Sequence, residues 1–219
     1  MIYVMSDIHG EIDRFHQMLS TIAFSDSDVL YIIGDVIDRS SGGVALLLEI
    51  IDAPNIRMIL GNHERMMLDV FELGTYPDAR RLWAQNGGNI TRRELIYRRT
   101  IDERRKILHY CRKLPLSAEV NVGGRRFTLV HGYPAIDPLD QLWGRVTADS
   151  VMPPVSAESP HTFIMGHTPT CFLTERFHEP YQIFYGAGFI DIDCGCGNMT
   201  NPYRRLSCLR LDDMKEFYC

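Results

Sequence analysis

The stretch Gly34-Asp35-Val36-Ile37-Asp38-Arg39 sets two carboxylates and a guanidinium in one short loop, directly after the apolar run Val29-Leu30-Tyr31-Ile32-Ile33. Such a run predicts a buried strand. Charges crowded at the end of a dry strand are costly unless metal ions, a phosphate or each other satisfy them. The same grammar recurs along the chain. Ser6-Asp7-Ile8-His9-Gly10 follows Ile2-Tyr3-Val4-Met5, and Gly61-Asn62-His63-Glu64 follows Ile56-Arg57-Met58-Ile59-Leu60. His131-Gly132 closes an apolar run at 125–130, and Gly166-His167-Thr168 closes another at 162–165. Asp7 and His9 are two apart, so on an extended backbone they share one side and form a metal half-site. Oxygen and imidazole donors without thiolate suit Mn²⁺, Fe²⁺ or Zn²⁺ better than Ca²⁺. Two such ions about 3.5–4 Å apart form a clamp for in-line attack on phosphorus.

Three successive strand–loop–helix units must position the first three clusters, with helices expected at 11–22, 43–51 and from 65 onward. Open α/β sheets bind ligands at the carboxyl ends of their strands, so the clusters are expected on one rim. From 65 to about 114 the composition is helical and polar, broken by Asn86-Gly87-Gly88-Asn89, with Thr91 and Glu94 spaced as a capping box. This reads as a helical insertion beside the site within a single domain over 1–219. Its arginines (Arg92, Arg93, Arg98, Arg99, Arg104, Arg105) read as a solvated face that offsets nearby Asp and Glu, with the gripping of an anionic substrate as the lesser alternative. After Pro115 the pattern turns to strands: a hairpin at 118–122 and 125–130 around Gly123-Gly124, then 162–165, 182–185, 189–193 and 206–211. The last three are expected as hairpins completing a second sheet, after a Pro/Ser-rich loop at 152–160.

A net charge of −5 and a pI near 5.9 argue against a dedicated nucleic-acid or membrane-surface binder. No apolar run is long enough to span a membrane, and the N-terminus enters a strand without a leader-like pattern. Six scattered cysteines are expected as reduced thiols in a cytoplasm. Cys194-Gly195-Cys196 near Cys208 offers a weaker, soft-metal alternative. His16, His109, His161 and His178 sit in no motif and are read as structural.

In order along the chain, the five clusters resemble the blocks of the calcineurin-like metallophosphoesterases. Within them the chain looks most like the phosphoprotein-phosphatase branch, especially the small bacterial and phage lambda-type serine/threonine phosphatases. The resemblance implies two mixed β-sheets packed as a sandwich flanked by helices. It implies two divalent cations, Mn²⁺ first with Fe or Zn as alternatives. Asp7 and His9 would hold one, Asn62, His131 and His167 the other, and Asp35 both. A metal-bridging hydroxide would attack phosphorus while His63, oriented by Asp38, protonates the leaving alkoxide. Arg39, Arg145 and Asn86 would bind the phosphate. Phosphorylated protein or a small phosphoester is then the expected substrate.

Some positions depart from the pattern. Ser6 stands where the family's first block usually has Gly, and Leu60 where protein phosphatases often carry an arginine. The Leu-Gly-Asn-His start also occurs in symmetrical diadenosine tetraphosphate hydrolases, so a dinucleoside polyphosphate is the alternative substrate. A catalytically dead phosphate-binding protein is the rival outside the enzymes, and the intact blocks argue against it.

Overall fold

The structure is a computed structural model that describes residues 1–73, 77–152 and 161–219. The chain begins with β1 (Ile2–Met5), α1 (Ile12–Thr21), β2 (Val29–Ile32), α2 (Gly43–Asp52), β3 (Ile56–Met58) and α3 (Asn62–Leu68). A π-helical turn (Asp69–Leu73), α4 (Pro77–Gln85), α5 (Asn89–Tyr97) and α6 (Ile101–Lys113) follow, helical as expected for this stretch. The remainder runs β4 (Ser117–Val122), β5 (Arg125–Val130), α7 (Pro138–Trp143), β6 (His161–Met165), α8 (Cys171–Thr174), β7 (Phe184–Tyr185), β8 (Phe189–Asp191), β9 (Ser207–Arg210) and β10 (Lys215–Tyr218).

Two five-stranded mixed sheets result, in the orders β10-β9-β1-β2-β3 and β4-β5-β6-β8-β7. Each has three parallel strands at its heart, β1-β2-β3 in one and β5-β6-β8 in the other. Period-two alternation sorts their side chains. Val4, Tyr31 and Ile33 pack with Phe127, Leu129, Ile164 and Ile190 between the sheets. Tyr3, Met5, Leu30 and Ile32 pack instead with Phe15 and Met18 of α1 and Leu46 and Leu47 of α2. Strands buried on both faces read as continuous apolar runs, which is why these were legible in the sequence.

The expected hairpin at 118–130 is present, with Gly123 and Gly124 at positive φ in its two-residue turn. The last strands differ from expectation. Of the segments expected to close the second sheet, β7 and β8 do so. β9 joins the first sheet, antiparallel to β1, and pairs with β10, a strand the sequence reading did not anticipate. β9 is buried on both sides, so only a tertiary contact could say which sheet it enters. The capping box also sits elsewhere: Thr100 and Glu103 form it at the start of α6, whereas α5 already begins at Asn89. Most of the Pro/Ser-rich loop at 152–160 lies outside the described residues.

The two loops after β1 and β2 remain zipped beyond their strands. Asp7, His9 and Gly10 donate backbone N–H bonds to the carbonyls of Gly34, Asp35 and Val36, and Ser40 donates back to His9. The end of β3 presses equally close, since a Cβ on Gly61 would stand against the backbone N and Oδ1 of Asp35, and one on Gly34 would lie 2.5 Å from the Gly61 Cα. No methyl group fits between these loops. Gly61→Ala is expected to cost about 1–3 kcal/mol by overpacking, read as a lowered denaturation midpoint, whereas Gly123→Ala should leave the loop network and its ligand positions intact.

Candidate active site

The parallel order of both sheets brings six strand ends to one rim. β1 delivers Asp7 and His9, β2 delivers Asp35, Asp38 and Arg39, and α3 after β3 delivers Asn62 and His63. From the second sheet β5 delivers His131, β6 delivers His167, and β8 delivers Asp191 and then Asp193. Asp7, His9, Asp35, Asp38, Asn62, His63, His131 and His167 are all at most 8% exposed. Asp7, Asp35, Arg39, Asn62, His63, Asn86, Arg145 and His167 line one cavity of about 870 Å³. The structure therefore gathers every site residue expected from the sequence, with His9, Asp38 and His131 forming its buried backing.

The backbone that aims these groups is strained. Asp7, His9, Asp35, Asp38, Arg39 and His167 all have positive φ, between 49° and 73°, among nine non-glycine residues described in that region. Non-glycine residues rarely adopt it, at a cost of order 1–3 kcal/mol each. Asp7 and His9 thus share a side through two left-handed kinks, not through the extended strand end that their spacing implied.

Each side chain is tied by one atom and free at another. His9 Nδ1 donates to Ile37 O at 3.1 Å and His131 Nδ1 to Ile33 O at 2.8 Å, which leaves both Nε2 atoms facing the centre. Asp7 Oδ2 accepts from the backbone N–H of His167 at 3.0 Å, and Asp35 Oδ1 from that of His63 at 3.0 Å. The free Asp35 Oδ2 lies 3.7 Å from His9 Nε2, 3.7 Å from His63 Nε2 and 3.4 Å from His131 Nε2. Asn62 Oδ1 reaches His131 Nε2 at 2.9 Å, and Asp7 Oδ1 is 3.8 Å from His9 Nε2. This is how metal ligands are held by outer-shell partners.

Two compact groups could hold a cation, His9/Asp35/His63 and Asp35/His131/His167, with Asp35 common to both. The donor set fits Mn²⁺, Fe²⁺ or Zn²⁺, and the buried His167 Nε2 has no hydrogen-bond partner, as a ligand atom awaiting a metal would. The electrostatics fit equally. Burial resists a charge on His131, but Asp35 outweighs it and pushes the imidazole up to about 10. Burial would raise Asp35, yet His131 and His63 hold it well below the usual carboxylate range. Burial and His131 together push His167 down to about 3, and burial with Arg39 keeps His9 well below its ordinary value. Across the 3.4 Å between them Asp35 favours its ionised form and His131 its protonated form, and a cation at the same point would compete with that proton.

A second cluster adjoins the first. His63 Nδ1 donates to Asp38 Oδ2 at 2.7 Å, and the same oxygen accepts from Trp83 Nε1 at 2.7 Å. The Asp38 N–H donates to Thr91 Oγ1 at 3.0 Å. Burial opposes charge on His63, but Asp35 and the bond to Asp38 prevail and raise its pKa. Arg39 Nη2 stands 3.3 Å from His63 Nε2, while Arg145 Nη1 donates to His167 O at 3.0 Å. Asn86 is tied to Leu82 O through its side-chain nitrogen at 2.9 Å.

Four contributors were not identified from the sequence. Glu64, fully buried, accepts from the N–H groups of Asp35, Val36 and Ile37 and so cradles the whole β2 loop. Its place in the Gly61-Asn62-His63-Glu64 cluster marked it in the sequence, but not the role it takes. Trp83 and Thr91, both buried, reach across from α4 and α5 to Asp38. Asp193 lines the cavity floor, and burial pushes both it and Asp191 well above the usual carboxylate range. Cys194 and Cys196 are buried, unpaired and part of no metal-holding group among the described residues. Cys196 Sγ donates instead to Ile8 O at 3.7 Å.

Residues 1–187 match the family model of the calcineurin-like phosphoesterases. The chain belongs to that family. It is 33% identical over 132 residues to the symmetrical bis(5′-nucleosyl)-tetraphosphatase of Acidovorax ebreus (strain TPSY), covering 59% of this chain and 43% of that protein. The match thus spans less than half the length of that relative. It is 27% identical over 201 residues to serine/threonine-protein phosphatase 2 of Salmonella typhimurium (strain LT2), covering 82% of this chain and 85% of the relative. The fold is shared with a serine/threonine phosphatase from Saccharomyces cerevisiae that has similarity to human phosphatase PP5, with a TM-score of 0.60 at 14% identity over all of this chain and 78% of that one. No helix among the described residues is long and apolar enough to cross a membrane.

His131 gives a signed pH test. Its folded pKa of about 10 lies above the ordinary 6.5, so its contribution to stability is complete below 6.5 and is lost as pH rises toward 10. The chelated protein is expected to melt at progressively lower temperature across that window, and His131→Asn should flatten the decline. Added Mn²⁺ should raise the midpoint most at the alkaline end, because the cation competes with the same proton. Melting curves with and without chelator from pH 6 to 10 check both.

Proposed function

We propose that this chain hydrolyses phosphomonoesters of alcohols, as a serine/threonine phosphatase does, and that it works in a reducing cytoplasm suited to its six unpaired cysteines. The observation that carries the reading is the buried His63–Asp38 pair, in which His63 also borders Asp35 where the two metal-holding groups meet. Two divalent cations bound there, Mn²⁺ in the first instance, would supply Lewis-acid charge and an activated water. The chain's own residues do the rest. Asp35 keeps one oxygen fixed by the His63 N–H and offers the other to both groups. Arg39 and Arg145, both lining the cavity, carry guanidinium forks for phosphate oxygens.

His63 is placed to hand a proton from Nε2 to the departing oxygen while its Nδ1–H stays on Asp38. Trp83 donates to the same Asp38 oxygen that His63 binds, so that the pair keeps one orientation. An alkoxide needs such a proton, whereas a phosphate leaving from an anhydride scarcely does. This favours an alcohol ester over a dinucleoside polyphosphate, although the sequence likeness to a tetraphosphatase keeps the second substrate worth testing.

The test is a substrate panel on metal-loaded protein: p-nitrophenyl phosphate, a phosphoserine peptide and diadenosine tetraphosphate. Turnover of the peptide above the dinucleotide supports the reading, and the reverse preference overturns it. His63→Asn is expected to lower kcat by roughly 10²–10⁴ on the peptide with the metals retained, and far less on p-nitrophenyl phosphate, whose leaving group needs no acid. Trp83→Phe should show the same selectivity in milder form. Loss of metal from His63→Asn would make His63 a ligand instead.

A further inference from the structure

Arg39 has a second neighbourhood. Besides the catalytic cavity it lines a groove of about 490 Å³ with Ser41, Gly87, Asn89, Arg93 and Arg98. Arg93 and Arg98 are exposed on and just after α5, and neither makes an ion pair among the described residues. The one carboxylate on the groove wall, Glu94, is already engaged by Arg99 at 2.5 Å. Arg93 and Arg98 therefore stand on this groove without an ion pair among the described residues, in a protein whose net charge is −5, while Arg39 joins its wall and keeps Nη2 at 3.3 Å from His63 Nε2. The catalytic cavity, which Arg39 also lines, carries Asp149 and Glu175 among its lining residues besides Arg145.

We infer that this groove is a second anion subsite, holding a phosphate that the substrate carries beside the one being cleaved. The inference rests on the phosphoester reading of the adjoining centre and extends it from one phosphate to two. Gly87 makes the approach possible. At φ +94° it brings its backbone beside Arg39, where a Cβ would lie 3.0 Å from the Arg39 Cγ. Arg39 is thereby held between the cavity and the groove, and lines both. Guanidinium forks match phosphate oxygens in pairs, and their exposure makes the attraction sensitive to salt. Two sources offer the chemistry: a second phosphorylated side chain in a peptide, and the outer phosphates of a nucleotide polyphosphate.

The experiment compares wild type with Arg93→Ala/Arg98→Ala, metal-loaded, on four substrates. These are p-nitrophenyl phosphate, a singly and a doubly phosphorylated peptide, and diadenosine tetraphosphate. The double variant is expected to lose about tenfold in kcat/KM on at least one of the two multiply phosphorylated substrates. It should keep p-nitrophenyl phosphate and the single phosphopeptide within about twofold, and the loss should shrink at high salt. Loss on the doubly phosphorylated peptide alone assigns the groove to proteins, and loss on the dinucleotide alone assigns it to nucleotides. An equal fall on all substrates, or no fall on any, overturns the subsite. Arg93→Lys/Arg98→Lys, which keeps the charge, should retain most of the preference. If wild type hydrolyses no phosphoester, the proposed activity is wrong. Calorimetric titration with inorganic tripolyphosphate then still reads the groove: binding about tenfold tighter to wild type than to the alanine variant supports it, and equal binding refutes it.

Discussion

Burying the Asp35 carboxylate is the constraint on which the rest of the molecule depends. A carboxylate that is about 1% exposed, at the end of a strand dry on both faces, is not tolerated by an α/β protein without compensation. The chain meets it with His131 and His63 as electrostatic partners and with a backbone N–H on one oxygen. It leaves the other oxygen at the meeting point of two ligand groups. Every departure from ordinary backbone geometry around the site follows from the need to keep that atom free and its neighbours aimed at it.

The aim is achieved by close approach. Five of the six site residues at positive φ lie in the β1 and β2 loops, which bond to each other and against which the end of β3 admits only glycine; the sixth, His167, is tied to Asp7 through its N–H. Glu64 completes the lock from beneath, its carboxylate collecting three backbone N–H groups of the β2 loop. Burial and the neighbouring Asp35 push Glu64 up to about 7, so the group that organises the loop also feels the charge the loop presents. Strain and buried charge thus support one another, as expected where geometry serves chemistry more than stability.

The helices between β3 and β4 are a working part of this arrangement. α4 and α5 hold Asp38 from two directions, through the Trp83 indole and the Thr91 hydroxyl. The turn between them brings Gly87 against Arg39, and α5 then adds Arg93 and Arg98 to the groove beyond. The far end of the chain closes the other flank. Gly197 lies so close to His9 and Arg39 that a side chain there would meet both, and Arg204 secures the loop by donating to Cys196 O and Glu11. The two cysteines that suggested a soft-metal site in the sequence are packing residues of that closure.

What the sequence determined by itself was local and periodic. Apolar runs ending in Asp, His, Asn and Arg announced both the central strands and the groups at their ends, because doubly buried strands leave polar residues nowhere else to go. The order of those clusters was enough to indicate the family to which the chain belongs. Tertiary structure alone decided the pairings between distant segments. It sent β9 into the first sheet, turned Thr91 from a supposed helix cap into the acceptor for Asp38, and gave Trp83, Glu64 and Asp193 places at the site. The reason is physical: periodicity records which face of an element is dry, but a hydrogen bond between residues 45 positions apart, such as that from Trp83 to Asp38, leaves no trace in either segment's own pattern.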